Sequence, residues 1–469
     1  MATPTTAPPP TALPSIPALS TYRHSSTDAS KRWAVENPAT GKALTTVQSG
    51  DEATVDAAPA RDARLFDCGF LVAAFRYFGA LVAKLPSQFY DRGSLYCTVH
   101  HEPFGVCAGI LPFNWPPIHA GGQAGPGPRR REHLHPQAGG AGAAGGEPDL
   151  RDRGRGAPER RGAVRARPRP GGPRGPRLVA HPLVRRVSFT GSTANGTAVA
   201  RGASATLTPA ALELGGKNAL VVFDDADMHA AVRAALEGGF FNKGKACTAT
   251  SRMLVQRGTM YDGFVERLAA GVRRIKVGDG MDPGTHVGPQ VSRAQQARLL
   301  EFIEVGKQEG ARVAAQAELP TDPESKGGFF VPPTLFVDVR EDMRVAKEEM
   351  FGPIVTVMPF DTFEDAVRIT NSVEYGLVSV VFTQDQLKAN RFVRAVEVGM
   401  VWVNNFVRNV LGTPFGGVKY SGYGREHTIE TLYEWTQPKA VHSLSGIGKA
   451  MEWRGVNDIF GVSGSNVVE

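Results

Sequence analysis

The sequence predicts an α/β protein built on mostly parallel sheets. Three observations carry this. Short apolar runs alternate with stretches of three- and four-residue apolar spacing over most of the chain, the pattern of successive βα units. The composition, 42% hydrophobic and 21% charged, excludes collagen-like, fully disordered and coiled-coil chains. The length, 469 residues, calls for two or three domains, and no internal repeat is present.

The elements follow in order. Met1 to Ser20 is rich in Pro, Thr and Ala without a charged side chain, and reads as a disordered tail. It lacks the basic start and apolar stretch of a secretory signal. Glu36-Asn37-Pro38-Ala39-Thr40-Gly41 is a turn between short strand-like runs. Phe70 to Leu85 has helical spacing, while Ser94–His101 and Val106–Leu111 read as strands. The second strand stops at Pro112-Phe113-Asn114-Trp115-Pro116-Pro117. Val187–Thr190 is a strand entering Gly191-Ser192-Thr193-Ala194-Asn195-Gly196 and a helix through Ala203. Ala219–Phe223 is a strand, and Asp227 caps a helix with Ala231, Ala234 and Ala235 on one face. Strands at Arg252–Gln256, Val355–Met358, Val378–Thr383 and Met400–Asn404 alternate with helices at Tyr261–Ile275, Arg293–Glu309, Phe363–Thr370 and Asp385–Val398.

No apolar run approaches the roughly 18 residues of a membrane span, so a soluble chain without membrane partners is expected. The four cysteines, Cys68, Cys97, Cys107 and Cys247, are too few for a disulfide scaffold. A reducing, cytoplasmic location fits them and leaves room for one reactive thiol. No Cys/His spacing suits a metal, so no metal site is expected.

The net charge of +7 is local. Gly121 to Arg177 holds 13 Arg, no Lys and 5 acidic residues, or +8, which leaves −1 for the rest. The same stretch carries 15 Gly and 9 Pro, with only Leu134, Leu150 and Val164 as large apolar residues. It cannot build a core of its own. An Arg/Gly-rich RNA-binding insertion is one reading, but no Phe, Tyr or Trp is there to stack on bases. A nucleic-acid partner is therefore not expected.

Six motifs carry the chemistry. Glu213-Leu214-Gly215-Gly216-Lys217 precedes Cys247 by 34 residues, in Asn242-Lys243-Gly244-Lys245-Ala246-Cys247. Each alone reads as a turn or a buried thiol. With them stand Pro112-Phe113-Asn114-Trp115-Pro116, Phe189-Thr190-Gly191-Ser192, Glu348-Glu349-Met350-Phe351-Gly352-Pro353 and Pro414-Phe415-Gly416-Gly417-Val418-Lys419-Tyr420-Ser421-Gly422. Their order and spacing resemble the aldehyde dehydrogenase superfamily from about Asn37 to about Lys439.

The resemblance implies a Rossmann-like cofactor domain (21–93 and 103–215), an α/β catalytic domain (216–428) and a small β oligomerisation extension (94–102 and 429–445), with a C-terminal tail at 446–469. It implies NAD(P)-dependent oxidation of an aldehyde to a carboxylic acid through a cysteine thiohemiacetal and thioester. Cys247 is then the nucleophile, Glu213 the general base for hydrolysis, and the Asn114 amide with the Cys247 N–H the oxyanion donors. Glu349 holds the nicotinamide ribose beside Phe351. Pro112, Trp115, Leu214, Gly191 and Ser192 line the cofactor site, the last two as a phosphate turn before a helix. A homodimer or homotetramer is implied. NAD is favoured, with NADP also open. The sequence does not name the aldehyde; Phe113, Trp115, Phe240, Phe241, Trp402 and Phe406 admit an apolar one but serve equally as core.

Two departures stand out. The family has a strand ending in Leu-Lys-Pro, whose Lys meets the cofactor ribose, where this chain has Arg131 to Ala144. Codons permitted there, read one base later, spell Gly-Asn-Thr-Phe-Ile-Leu-Lys-Pro-Gly-Glu-Gln-Ala-Pro-Leu. A frame shifted between about Gly122 and about Leu178 is the expectation, from a double indel or an error in the recorded sequence. The restored Glu would suit a free ribose 2′-hydroxyl. As written, the stretch is expected to be disordered or misfolded, and a catalytically impaired relic is the alternative function. Near Cys68, several helical turns usual in the family are missing.

Overall fold

The computed structural model describes residues 32–36, 43–48, 61–124, 133–138, 174–406 and 410–446. The expectations for the N-terminal tail and for the chain beyond 446 lie outside them.

The first part of the chain runs β1 (Arg32–Glu36), β2 (Ala43–Gln48), α1 (Arg61–Leu81), β3 (Gln88–Asp91), β4 (Leu95–Pro103), β5 (Val106–Leu111), α2 (Pro116–Ala124), β6 (His133–Ala138), α3 (Arg174–Val179), β7 (Arg186–Thr190), α4 (Thr193–Ser204) and β8 (Ala210–Glu213). The next part is β9 (Ala219–Val222), α5 (Met228–Phe240), β10 (Arg252–Gln256), α6 (Thr259–Arg273), α7 (Arg293–Gln308), β11 (Arg312–Gln316), β12 (Thr334–Val337), α8 (Arg344–Lys347), β13 (Ile354–Phe360), α9 (Phe363–Asn371), β14 (Tyr375–Gly376), β15 (Val378–Phe382), α10 (Gln386–Ala395) and β16 (Met400–Val403). The chain closes with β17 (Val418–Lys419), β18 (Gly422–Tyr423), α11 (Ile429–Glu434) and β19 (Thr436–Leu444).

Local chemistry sets many of these boundaries. Asp227 accepts from the Ala230 N–H at 2.9 Å and starts α5, whose Ala231, Ala234 and Ala235 are buried. Asp385 caps α10 through two backbone N–H groups, and Thr362 with Asp365 forms a capping box on α9.

Two α/β sheets result. A seven-stranded sheet has the order β11-β12-β13-β10-β9-β15-β16, parallel except for β11 against β12. Its strands are apolar on both faces. One face packs Phe302, Phe336, Phe360 and Phe392, and the other Phe264, Leu268, Val272 and Phe382. A five-stranded sheet has the order β18-β8-β7-β5-β6, parallel except for β18 against β8. Because β5 leads to β6 on one side and to β7 on the other, its order reverses between β5 and β7. That crevice is where parallel sheets bind ligands.

The third sheet, β19-β4-β3, is antiparallel, and all nine residues of β19 pair with β4 from Thr436↔Pro103 to Leu444↔Leu95. Arg186 ties it to β7. The buried guanidinium meets Glu434 at 2.9 Å and lies 5.5 Å from the Trp435 ring.

The expectation of disorder across 121–177 is corrected in three places. Residues 121–124 complete α2, 174–177 start α3, and His133–Ala138 forms β6, in parallel register from Val106↔His133 to Leu111↔Ala138. Pro136 lacks a ladder donor, and β6 is an edge strand, where proline is tolerated. Residues 125–132 and 139–173 lie outside the described residues. At the second departure, Cys68 falls within α1, a single helix of 21 residues.

Candidate active site

The chain crosses from one α/β sheet to the other at Leu214-Gly215-Gly216-Lys217-Asn218, between β8 and β9. Glu213 is the last residue of β8. It is buried, and neither carboxylate oxygen has a hydrogen-bond partner. Burial, and then the neighbouring Glu426, hold its carboxyl well above the usual range, while Arg425 opposes them. The 414–422 motif braces this crossing. Leu214 N–H donates to Ser421 O at 3.0 Å, and Ser421 Oγ donates to Gly215 O at 2.7 Å.

Cys247 lies in the loop between α5 and β10. Asn242 and Lys243 ahead of it both have positive φ, +49° and +63°, a conformation that persists only where surroundings impose it. Those surroundings include the loop after β5. Asn242 Nδ2 donates to Asn114 O at 3.2 Å, and Asn114 Nδ2 donates to Lys245 O at 3.2 Å. Trp115 stacks on Phe241, and Lys245 Nζ lies 5.1 Å from the Phe113 ring centroid. The Asn114 loop and the cysteine loop are thus locked together. One Asn114 amide hydrogen is committed to Lys245 O, and the amide carries a second. The Cys247 thiol is free of disulfides. Burial pushes it up, followed by the charges of Glu213, Glu349 and Glu426, while the Thr248 backbone N–H opposes them.

The remaining motifs form the cofactor side. Ser192 caps α4 by accepting from Asn195 N–H, so the helix N-terminus opens at the carboxyl end of β7. A β-carbon on Gly196 would overlap the Leu214 side chain, so glycine lets α4 close onto the sheet. Glu349 reaches back to the crossing, where Gly216 N–H donates to its Oε1 at 3.0 Å. A β-carbon on Gly215 would overlap the same carboxylate. Burial raises Glu349 to about 7, against the Gly216 N–H, Arg298 and Lys217. Arg298 fixes the motif by donating to Glu349 O and Met350 O, and Gln295 holds Phe351 O at 2.9 Å. Phe351, at φ +56°, meets Phe113 edge-on at 5.8 Å, and Pro112 begins that loop. A phosphate-facing helix end and an acidic hydroxyl acceptor therefore fit a nicotinamide dinucleotide. The ribose-binding Lys of the resemblance has no counterpart in β6, which reads His-Leu-His-Pro-Gln-Ala.

Several residues here went unread in the sequence. Asn218, two positions beyond Gly216, donates to Cys247 O at 2.7 Å and Ala249 O at 3.0 Å. Lys217 is buried with no hydrogen-bond partner for Nζ. Behind Glu213 sit Glu426 and His427, with Glu426 Oε2 3.7 Å from His427 Nε2. Burial raises Glu426 to about 8 and lowers His427 to about 3 and His119 to about 4. The Gly424-Arg425-Glu426 continuation of the last motif was the available signal. Among the described residues, no group of three or more His, Cys, Asp or Glu could hold a metal ion.

The sequence profile of the Aldehyde dehydrogenase family matches residues 161–441. An aldehyde dehydrogenase of Monascus ruber is 46% identical over 507 residues, covering 95% of this chain and 98% of that protein. The chain belongs to the aldehyde dehydrogenase family. A further aldehyde dehydrogenase, from Didymella fabae, is 44% identical over 93% of this chain and 97% of its own length. Among solved structures, betaine aldehyde dehydrogenase from Staphylococcus aureus in complex with NAD+ superposes with a TM-score of 0.77 at 26% identity, covering 90% of this chain and 93% of that one. This aldehyde dehydrogenase therefore has the family fold, and its activity is NAD(P)-dependent oxidation of an aldehyde to a carboxylic acid.

Proposed function

We propose that the enzyme works through Cys247, Glu213 and Asn114, with NAD as cofactor. The observation that carries this is the locking of the Asn114 loop onto the cysteine loop through Lys245 O and Asn114 O. It brings an amide donor from the five-stranded sheet to the nucleophile of the seven-stranded one.

The thiol proton passes to solvent, and Cys247 Sγ attacks the aldehyde carbon, whose carbonyl electron pair moves onto the oxygen. The oxyanion forms against the free Asn114 N–H and the Cys247 backbone N–H, donors that need no reorganisation at the moment of reaction. NAD, when bound, supplies the hydride acceptor. The enzyme is left with a thioester on Cys247. Water then attacks the thioester carbon, Glu213 takes its proton, and the carbon–sulfur bond breaks to release the acid. Burial holds the Glu213 carboxyl well above its ordinary range, which makes its carboxylate a stronger base towards water. Glu349 would hold the nicotinamide ribose, with Pro112, Trp115, Leu214 and Phe351 around the ring, and Gly191 with Ser192 at the head of α4 would meet the pyrophosphate.

NAD is preferred over NADP because the similar Staphylococcus enzyme binds NAD+. We assign the β19-β4-β3 sheet to homo-oligomerisation as a dimer or tetramer. Phe89 and Leu444 there are 59% and 68% exposed. The domain limits given above and a cytoplasmic location complete the reading, the latter in keeping with thiols free of disulfides at Cys97 and Cys247. Among the described residues, no helix is long and apolar enough to cross a membrane.

The test is NADH formation from a panel of aliphatic and aromatic aldehydes, with Cys247→Ala as control. Formation that disappears in the variant supports the assignment. Activity retained by the variant overturns it.

A further inference from the structure

We propose that Asn218 is a positioning residue for the nucleophile: it holds the Cys247 carbonyl and thereby fixes the peptide plane that follows the sulfur. This rests on the reading of Cys247 as the nucleophile.

The geometry is specific to one planar group. A peptide carries its C=O and N–H at opposite ends of one plane. Asn218 Nδ2 donates to the oxygen end of the Cys247–Thr248 peptide at 2.7 Å. The nitrogen end is the Thr248 N–H, which opposes the rise that burial imposes on the Cys247 thiol. Fixing one end orients the other.

The clamp itself is rigid. Asn218 is buried, and the same Nδ2 spans a second carbonyl, Ala249 O, at 3.0 Å. Its Oδ1 accepts from Val378 N–H at 3.1 Å, at the start of β15. The amide therefore has both hydrogens and its oxygen engaged, and its orientation is fixed by the seven-stranded sheet. The carbonyls just before the nucleophile are held independently, Lys245 O by Asn114 and Ala246 O by Ala249 N–H at 3.0 Å. The peptide after the sulfur is held by Asn218 instead.

The chain position adds a second link. Asn218 follows Glu213 by five residues across the crossing. The segment that carries the base thus also carries the residue that sets the nucleophile.

The experiment measures alkylation of Cys247 by iodoacetamide across a pH series in the full-length enzyme. The labelled peptide is identified by mass spectrometry. Asn218→Leu and Asn218→Ser are compared with the parent, and NAD binding is followed by fluorescence. We expect Asn218→Leu to shift the alkylation profile to higher pH and to slow alkylation at neutral pH by roughly tenfold, about one pKa unit. Asn218→Ser, which keeps one donor, recovers part of the rate. NAD affinity stays within about twofold. Superimposed profiles in a folded variant would overturn the proposal, as would a shift matched by an equal loss of NAD binding. If Asn218→Leu does not fold, the Ser variant decides, with an unshifted profile counting against the clamp. Failure of the Cys247 assignment is separately visible, as labelling of Cys247 that leaves NADH formation intact.

Discussion

The two α/β sheets of this enzyme are built to different standards. The seven-stranded sheet is covered on both faces by large apolar clusters; its central strands β9 and β15 are buried throughout, and β10 in all but its last residue. The five-stranded sheet has a smaller core around Ala108, Val187, Phe189 and Leu212. It ends in β6, an edge strand whose sequence supplies one leucine and a proline. The chemistry is divided along the same line. On the proposed assignment, Cys247 and Asn218 belong to the better-packed half, whereas Asn114 and Glu213 stand at the ends of β5 and β8 in the thinner one. A thiol needs an environment fixed to a fraction of an ångström, and dense packing supplies it. The thinner half has to receive and release a dinucleotide.

That contrast can be broken from either side. Cys247→Ser should lower kcat by roughly 10⁴-fold or more, because the nucleophile acts as a unit with its surroundings. NAD binding, a property of the other half, should be unchanged by titration fluorescence. A loss of NAD affinity would mean that the halves are not separable. Glu213→Gln should slow turnover by about 10²–10⁴-fold while keeping a first burst of NADH, since only the hydrolytic step needs the base. Stopped-flow absorbance distinguishes this from a variant with no burst.

Phe392→Ala, in the larger core, should cost about 3–5 kcal/mol in denaturant unfolding. Val187→Ala, in the smaller one, should cost less and leave the unfolding of the seven-stranded sheet in place. Hydrogen exchange should accordingly be faster at β5 and β7 than at β9 and β10. Equal protection would remove the contrast.

The smallest effect is on pH. Glu426 is raised to about 8, so the folded state binds a proton that the unfolded state has released. Its contribution is present below the ordinary carboxylate range and is lost as pH rises towards 8. His119 and His427 are lowered to about 4 and 3, so theirs is present above the ordinary histidine value and lost as pH falls towards those values. The Glu426 contribution should therefore fall across the alkaline side and the histidine contributions across the acid side. Glu426→Gln should flatten the alkaline side, and a melting series from acid to mildly alkaline pH reads it.

The shifted-frame expectation bears on the same thin half. Trypsin should release Glu132–Arg151 from the chain as written, a peptide that contains β6. A peptide carrying Leu-Lys-Pro in its place would give β6 an apolar sequence and restore the ribose-binding lysine.

The sequence by itself determined the fold class, the family and its reaction. Alternating βα patterns specified parallel sheets, because each strand and helix there follows its own apolar period. Six motifs in one order pointed to the nucleophile, base, amide and carboxylate. Short elements escaped it: β8 reads Ala-Ala-Leu-Glu and β12 Thr-Leu-Phe-Val, four residues each, too few to show a period. His133–Ala138 escaped it for another reason. Its composition argues against a core strand, and it pairs because β5 presents an open edge beside it. Asn218, Glu426 and the two histidines were decided only by tertiary structure. Nothing local marks an asparagine as the holder of a carbonyl 29 residues away, or a glutamate as buried against another. Those roles arise when the crossing at 214–218 and the 414–426 segment are packed around one cysteine, and burial then sets both the hydrogen bonds and the protonation states.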